Sequence, residues 1–161
     1  MEIRELGSGE LGRLLPCLTE LAEFHNQVSL HFPGAYPSRP FPETLEGFSA
    51  GMARGISHIA AVETDGGVAG FCKIDIEGRN GRLDYLVVLK AHRGKGYGRG
   101  LMDWAMARFR RSHVGRVEVK VVEGNDAVHF YERFGFQTSA RLLWHEEKRD
   151  TEGPASSFGP I

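Results

Sequence analysis

The sequence predicts a single α/β domain built on a mixed, mostly antiparallel sheet. Three apolar stretches between residues 56 and 89 are separated by short glycine-containing turns, which is the pattern of an antiparallel three-strand meander. The third stretch is followed by a glycine-rich segment, an amphipathic helix and an alternating strand. The strands at 82–89 and 116–122 should therefore lie parallel, joined by a right-handed crossover.

The N-terminal third is predicted to contain a short strand and two helices. Residues 2–6 can form the strand, and leucines at helical spacing predict a helix over 10–24. Pro16 falls inside that helix and predicts a kink or a later start. A second helix is predicted over 42–54. Between the helices, residues 25–42 combine several prolines with three aromatic residues, which predicts a semi-rigid loop and not a disordered linker.

The remaining elements follow from period and turn signals. Strands are predicted over 56–63, 68–76 and 82–89, with turns at 64–67 and 77–81. A helix over 98–112, a strand over 116–122 and a helix over 126–134 come next. A further strand is expected from Phe136, and a final antiparallel one over 141–147. Residues 150–161 are rich in Gly, Pro and Ser and are predicted to form a mobile tail, which leaves 1–149 as the domain.

The segment before the 98–112 helix has the features of an anion site. Glycines at 94, 96, 98 and 100 let the backbone adopt conformations closed to other residues and approach a ligand closely. Their amides add to the unpaired N–H groups of the helix N-terminus, which favours a phosphate. The alternative is that the glycines only shape an exposed turn. The spacing fits neither a dinucleotide fingerprint nor a P-loop. Nearby positive charge comes from Lys90, Arg93, Lys95 and Arg99.

What the segment does match is the pattern Arg/Gln-x-x-Gly-x-Gly/Ala, as Arg93-Gly94-Lys95-Gly96-Tyr97-Gly98, after the apolar run Leu86-Val87-Val88. This resembles the acetyl-CoA-binding motif of the GCN5-related N-acetyltransferase (GNAT) superfamily. The resemblance implies that the loop from Arg93 to Arg99 holds the CoA pyrophosphate through its amides. It implies that the backbone of Leu86, Val87 and Val88 binds the pantetheine arm and the acetyl carbonyl. It also implies helices flanking the sheet and a V-shaped cleft between two splayed parallel central strands.

A second segment, Phe130-Tyr131-Glu132-Arg133-Phe134-Gly135-Phe136, is similar to the second motif of the same family. The resemblance places Tyr131 at the cofactor as the general acid that protonates the departing thiolate, an effect worth about 10²–10⁴-fold. The alternative is a packed tyrosine whose hydroxyl is satisfied. Asn125 lies six residues before Tyr131, where the family usually has seven. Its expected contact with pantetheine therefore competes with a role as helix N-cap.

The sequence specifies the acceptor site less closely than the CoA site. An amine is mostly ammonium at neutral pH, so a base must take its proton. Asp84, an acidic residue in an otherwise apolar strand, is the candidate, with Glu118 and Glu123 as rivals. In the resembled family the loop between the first two helices covers the acceptor, and the alternative is a packed surface loop. The resemblance thus makes four residues candidates for substrate contact: His25, His31, Tyr36 and Arg39.

Composition sets limits on the class of protein. With 161 residues, 41% hydrophobic and 25% charged, the chain is expected to be one soluble domain. No apolar run approaches the ~18 residues of a membrane span and the N-terminus does not begin a signal peptide, so no membrane partner and a cytoplasmic location are expected. Cys17 and Cys72 are expected to be buried hydrophobes. The seven histidines show no metal-ligand spacing, so no metal is expected.

Charge is unevenly placed although the net value is −1. The segment from residue 90 to residue 116 contains many cationic residues and one acidic residue, Asp103. This favours a local polyanion such as CoA and argues against a nucleic-acid partner. Three of these cations are expected to be partners of a helix C-terminus instead: Arg108, Arg110 and Arg111.

Together these features predict transfer of acetyl from acetyl-CoA to a primary amine by direct attack in a ternary complex, since no nucleophile has an adjacent base. The alternative is a non-catalytic acyl-CoA-binding or sensor domain whose acceptor site is closed by residues 25–42. A third interpretation takes the basic segment as a nucleic-acid patch. The acceptor, a small molecule or a peptide, and the preferred acyl group stay open. By fold analogy alone the resemblance is compatible with a homodimer.

Overall fold

The computed structural model of the chain describes residues 2–147. In chain order its elements are strand β1 (Ile3–Glu5), a 3₁₀ helix (Ser8–Leu14), helices α1 (Leu15–Val28) and α2 (Phe41–Ala53), strands β2 (Ser57–Thr64), β3 (Gly67–Glu77) and β4 (Asn80–Val88), a 3₁₀ turn (Lys90–His92), helix α3 (Tyr97–Arg111), strand β5 (Arg116–Val119) and helix α4 (Ala127–Glu132). The tail predicted at 150–161 lies outside the described residues, and the predicted extent of the domain stays a prediction.

The five strands form one sheet in the order β1-β2-β3-β4-β5. The first four strands pair antiparallel, whereas β4 and β5 pair parallel. The predicted mixed, mostly antiparallel sheet is therefore confirmed, as are the meander and the parallel pair joined through α3.

Each face of the sheet is covered by its own hydrophobic layer. Leu14 and Phe48 pack with Phe71 of β3 on the side of α1 and α2, and Leu101 packs with Ile74 of β3 on the side of α3 and α4. Neighbouring residues of β3 alternate between the two layers because side chains alternate along a strand. Cys17 and Cys72 are both fully buried and free, which confirms their predicted role as hydrophobes.

The starts of α1 and β4 and the end of β5 differ from the prediction by two residues or more, and for the first two the local reason is visible. Helix α1 begins only at Leu15, and Pro16 occupies its first turn, where no N–H is needed; the later start is the correct alternative. The turn between β3 and β4 is two residues long, with Gly78 at φ +58°, so β4 begins at Asn80. Strand β5 ends at Val119, three residues earlier than predicted.

The strands predicted from Phe136 and over 141–147 are wrong. Residues 136–147 contain no strand, because their backbone finds no neighbouring strand in the described part of the chain and side-chain alternation alone cannot supply one. The Trp144 ring holds this segment instead, at 5.2 Å from the Phe32 ring and 6.3 Å from the Tyr36 ring. Leu143 is 86% exposed.

Two kinds of feature do not occur within residues 2–147. None of the helices combines the length and apolar character needed to cross a membrane. Within the same range, no three His, Cys, Asp or Glu side chains form a group that could hold a metal ion.

Candidate active site

The cleft begins where β4 and β5 part. Their pairing runs from Asn80 opposite Arg116 to Leu83 opposite Val119, and there β5 ends while β4 continues to Val88. The other edge of β4 stays paired to β3, with Leu86 opposite Cys72. The edge of residues 84–88 that faced β5 therefore has no strand partner among the described residues. Such an edge can bind an extended ligand by adding main-chain hydrogen bonds.

The three residues predicted to bind the pantetheine arm lie along this edge. Val87 is buried in the α1–α2 layer, while Leu86 and Val88 are partly buried against the α3 layer. The carbonyl of Val88 accepts a hydrogen bond from Arg93 Nε at 3.1 Å, so that oxygen already has a partner.

The glycine loop leads from the end of β4 into α3. Gly94 and Gly96 have φ values of +77° and +81°, in the left-handed region that favours glycine. A Cβ at either position would meet nothing within 4 Å, so the space beside the loop is open. The left-handed backbone, and not crowding, is thus the reason for glycine at these two positions.

The N-terminus of α3 is left without a cap. Gly96 occupies the N-cap position, no side chain caps the helix, and its first turn holds no acidic residue. The amide of Gly100 bonds the carbonyl of Gly96 at 3.0 Å, so the amides of Tyr97, Gly98 and Arg99 precede the first intrahelical bond. Together with the helix dipole they form a site for an anion.

The cations of the loop divide into two groups. Arg93 faces α1: its guanidinium lies 3.8 Å from the Glu20 carboxylate and 5.4 Å from the centre of the Phe24 ring. Lys95 and Arg99 are exposed and form no ion pair within residues 2–147. Arg93 therefore braces the loop against α1, and Lys95 and Arg99 are the charges left for a polyanion.

Tyr131 is buried beside the same cleft. It is 8% exposed and packs edge-on against the rings of Phe130, at 5.5 Å, and Phe136, at 5.9 Å. Burial raises the pKa of its phenol, and Cys72 adds to the shift. Within the described residues the hydroxyl has no hydrogen-bond partner. A phenol in this state keeps its proton at neutral pH, as a proton donor must.

Asn125 acts at the start of α4. Its Oδ1 accepts a hydrogen bond from the amide of Ala127, the first residue of that helix, at 2.9 Å. The N-cap position of α4 is occupied by Asp126, so the predicted place of Asn125 as N-cap is wrong by one residue, and the Asn125 side chain bonds the first helical amide from the position before the cap. Its Nδ2 stays available for a ligand contact.

Asp84 lies at a β-bulge in β4. Tyr85 pairs with Lys73 and Leu83 pairs with Ile74, so Asp84 has no counterpart in β3. Its Oδ2 lies 2.5 Å from Lys73 Nζ, and its Oδ1 is 3.8 Å from Arg82 Nε. Lys73 was not identified from the sequence. The available signal was its spacing of two residues from Asp75, which places both side chains on one face of an apolar strand.

A charged groove opens beside this bulge on the same face of the sheet. Its volume is about 220 Å³, and it is lined by Asp75, Glu77, Asn80, Gly81, Arg82, Arg116 and Glu118. Of the two rival bases, Glu118 thus lines the groove. Glu123 lies in the loop after β5, and its main-chain carbonyl accepts a hydrogen bond from the amide of Leu30 at 3.3 Å.

Two side chains, Asn26 and Ser29, hydrogen-bond the backbone of the loop between α1 and α2, and Ser29 Oγ accepts one bond, from the amide of Phe32 at 3.0 Å. Oδ1 of Asn26 accepts the amides of Gly34, at 2.9 Å, and Tyr36, at 3.0 Å, and its Nδ2 donates to the carbonyl of Tyr36 at 2.7 Å. These three bonds and that of Ser29 are what a semi-rigid loop requires. Asn26 was not identified from the sequence, because an Asn near a helix end has no distinctive spacing.

Three of the four candidate acceptor residues have defined surroundings. The ring of His25 lies 5.0 Å from the ring of Tyr36, and burial lowers the pKa of His25 and raises that of Tyr36. Burial and the charge of Asp84 raise the pKa of Tyr85 to about 12, whereas the charge of Arg39 lowers it. His31 is exposed.

The same loop reaches across to the far side of the cleft. Besides the bond between Leu30 and Glu123, the carbonyl of Val28 approaches Gly124 so closely that a Cβ there would lie 2.0 Å from it. Gly124 also has φ +102°. The loop therefore bridges α1 and the segment after β5.

Comparison with known proteins supports this arrangement. A streptothricin acetyltransferase of Streptomyces lavendulae is 39% identical over 79 residues, which are 47% of this chain and 42% of that protein. The chain thus spans less than half the length of this curated relative. Among solved structures, a mutant of the BH1408 protein of Bacillus halodurans matches with a TM-score of 0.73 at 19% identity, covering 92% of this chain and all of that one.

A PaiA N-acetyltransferase of Thermoplasma acidophilum, crystallised with coenzyme A, matches with a TM-score of 0.71 at 16% identity, over 86% of this chain and 90% of that one. At these identities the two structures show the fold alone. The model of the acetyltransferase (GNAT) family matches residues 21–136, well over half of the chain. The chain therefore belongs to the GNAT acetyltransferase family.

Proposed function

We propose that this chain transfers an acetyl group from acetyl-CoA to a primary amine by direct attack in a ternary complex. The observation that supports this most directly is the continuity between the unpaired edge of β4 and the uncapped start of α3. One stretch of main chain, residues 84–99, thus offers hydrogen-bonding groups first to an extended arm and then to a diphosphate.

Acetyl-CoA supplies a reactive thioester, a long amide-containing arm and phosphates. The amides of residues 94–99 would hold the diphosphate, with Lys95 and Arg99 adding charge. The edge of Leu86, Val87 and Val88 would hold the arm, and Asn125 Nδ2 offers one further donor. The open space beside Gly94 and Gly96 is what close approach of a phosphate to the backbone requires.

Proton transfers complete the chemistry. The ammonium group of the acceptor first loses a proton, either to Asp84 or through a water that Asp84 holds. The amine nitrogen then bonds the acetyl carbon as the bond from that carbon to sulfur breaks. Tyr131 gives its phenolic proton to the departing sulfur, and the second proton lost by nitrogen restores the phenol. One proton is released for each acetyl group transferred.

The acceptor is proposed to be a small basic amine bound in the charged groove. The groove adjoins Asp84 through Asp75 and Arg82, and Glu77 and Glu118 add carboxylates that attract ammonium groups. The name of the relative from Streptomyces lavendulae, a streptothricin acetyltransferase, agrees with such an acceptor. A homodimer, a cytoplasmic location and the lack of a nucleic-acid partner stay predictions.

Thiol release provides the test. The chain is incubated with acetyl-CoA and a panel of monoamines, polyamines, amino acids, peptides and basic antibiotics, and free CoA is followed with a thiol reagent. Amine-dependent release is expected for at least one class, and Tyr131→Phe is the variant that should lose it.

Calorimetry with CoA and acetyl-CoA is run on the same protein. If acetyl-CoA binds but no amine causes release of free CoA, the result would favour the non-catalytic sensor domain. Absence of binding would contradict the whole assignment.

A further inference from the structure

A network of charged side chains is buried between β3 and β4. Lys73 and Asp75 are only 4% and 7% exposed, and Ser57 beside them is 5% exposed. Removing an ion from water is costly, the attraction within a pair does not always offset that cost, and a buried pair is therefore weak evidence for stability. A charged network in a sheet that is otherwise apolar therefore calls for another explanation.

Lys73 is the centre of this network. Its ammonium contacts Asp75 Oδ1 at 2.9 Å, Asp75 Oδ2 at 3.1 Å and Asp84 Oδ2 at 2.5 Å. The ring of Phe48, 5.1 Å from Nζ, closes its apolar side. The three contacts of the ammonium group thus go to two carboxylates on different strands, which restricts the orientation of the lysine.

Asp75 is held from the opposite side. Its Oδ1 accepts a hydrogen bond from Ser57 Oγ at 2.6 Å, and its Oδ2 accepts one from Arg82 at 2.7 Å. The two cations and two carboxylates balance in charge. One atom of the network has no hydrogen bond within the described residues: Asp84 Oδ1, which has only a longer ion-pair contact with Arg82 Nε at 3.8 Å. The Asp84 side chain is 26% exposed, compared with 5% for Lys73.

We propose that Lys73 is a positioning residue for acetyl transfer: it anchors one oxygen of Asp84 so that the other faces the incoming amine. This inference rests on the proposed function and on the role of Asp84 within it. Without the anchor, a carboxylate at a β-bulge could rotate away from the cleft, and a displacement of about 1 Å can cost 10²-fold in rate.

The prediction for the variants follows directly. Lys73→Met is expected to lower kcat by about 10²-fold while leaving the affinity for acetyl-CoA unchanged, because the CoA loop lies elsewhere. Lys73→Arg keeps a charged donor and should restore kcat to within about tenfold of the wild type. Ser57→Ala is the matched control: it removes one bond of the same network without touching Asp84, and should lower the melting temperature but not kcat.

A double-mutant cycle separates positioning from general structural damage. If Lys73 acts through Asp84, Lys73→Met should have little further effect on kcat in an Asp84→Asn background, because the group it positions is gone. Equal fold-losses in both backgrounds would overturn the inference. So would a Ser57→Ala loss of kcat as large as that of Lys73→Met.

Two further outcomes are interpretable. If Lys73→Met does not fold, the double variant Lys73→Met/Asp75→Asn removes both charges of the innermost pair and is tested in its place. A wild-type chain that binds acetyl-CoA but acetylates no amine would overturn the proposed function and this inference together. An active wild type with unaffected Lys73 variants would overturn this inference alone.

Discussion

The CoA-loop assignment can be tested at Gly96. Its φ of +81° is a conformation that costs an L-residue about 1–2 kcal/mol, so Gly96→Ala either stores that strain or relaxes the loop. Relaxation would turn at least one amide away from the diphosphate. A hydrogen bond to a charged group contributes about 1.5–3 kcal/mol, which corresponds to a loss of CoA affinity of about 10- to 100-fold.

The strain itself needs a matched control, and Gly78 provides it. Gly78 has φ +58° in the turn between β3 and β4, and a Cβ added there, as at Gly96, would meet nothing within 4 Å. Gly78→Ala should therefore lower the melting temperature by a similar few degrees, because both variants carry comparable strain. It should leave CoA binding unchanged.

Isothermal titration calorimetry with CoA and acetyl-CoA measures both variants against the wild type, with melting temperatures recorded in parallel. The expected result is a large loss of affinity for Gly96→Ala alone, and a larger one for Gly96→Val, since a β-branched residue tolerates positive φ least. Wild-type affinity in the Gly96 variants would refute the placement of the diphosphate. An equal loss in Gly78→Ala would show that strain, and not position, controls binding.

Three further predictions concern other parts of the molecule. Tyr131→Phe should lower kcat by about 10²–10⁴-fold with unchanged acetyl-CoA affinity in calorimetry; unchanged turnover would remove Tyr131 from the mechanism. Gly81→Ala would place a Cβ 2.7 Å from the Phe109 ring and should cost about 1–3 kcal/mol in a urea denaturation curve, whereas a wild-type curve would contradict the tight packing. Burial by itself would raise the pKa of Asp75, but the hydrogen bond from Ser57 and the charge of Lys73 hold that pKa below its ordinary 3.8. The Asp75 carboxylate therefore stabilises the fold above pH 3.8, and this stabilisation is lost as the pH falls through the lower pKa of the folded state. The Asp75→Asn variant should therefore be less stable than the wild type at pH 7 and should lose less stability than the wild type below pH 3.8. A constant difference between the urea midpoints of the two proteins at every pH would disprove this linkage.

The sequence by itself determined the elements whose signals are local. The glycines at 94 and 96 indicated a backbone that other residues avoid, and both have positive φ in the structure. Alternating and helical periods located β2 to β4 and α3 to within two residues, because the burial of one face imposes its period on the chain. The buried state of Cys17 and Cys72 followed from the same patterns.

Tertiary structure decided everything that depends on which distant residues meet. Alternation at 141–147 looked like a strand, but a strand exists only where another strand completes its hydrogen bonds, and Trp144 instead packs on the loop after α1. The motif made Arg93 a candidate cofactor-binding residue, and this stays a prediction; only the tertiary structure shows that its guanidinium lies against Glu20 and Phe24 of α1. The contact of Lys73 with Asp84 depends on a bulge between two strands, a long-range register that local spacing does not specify.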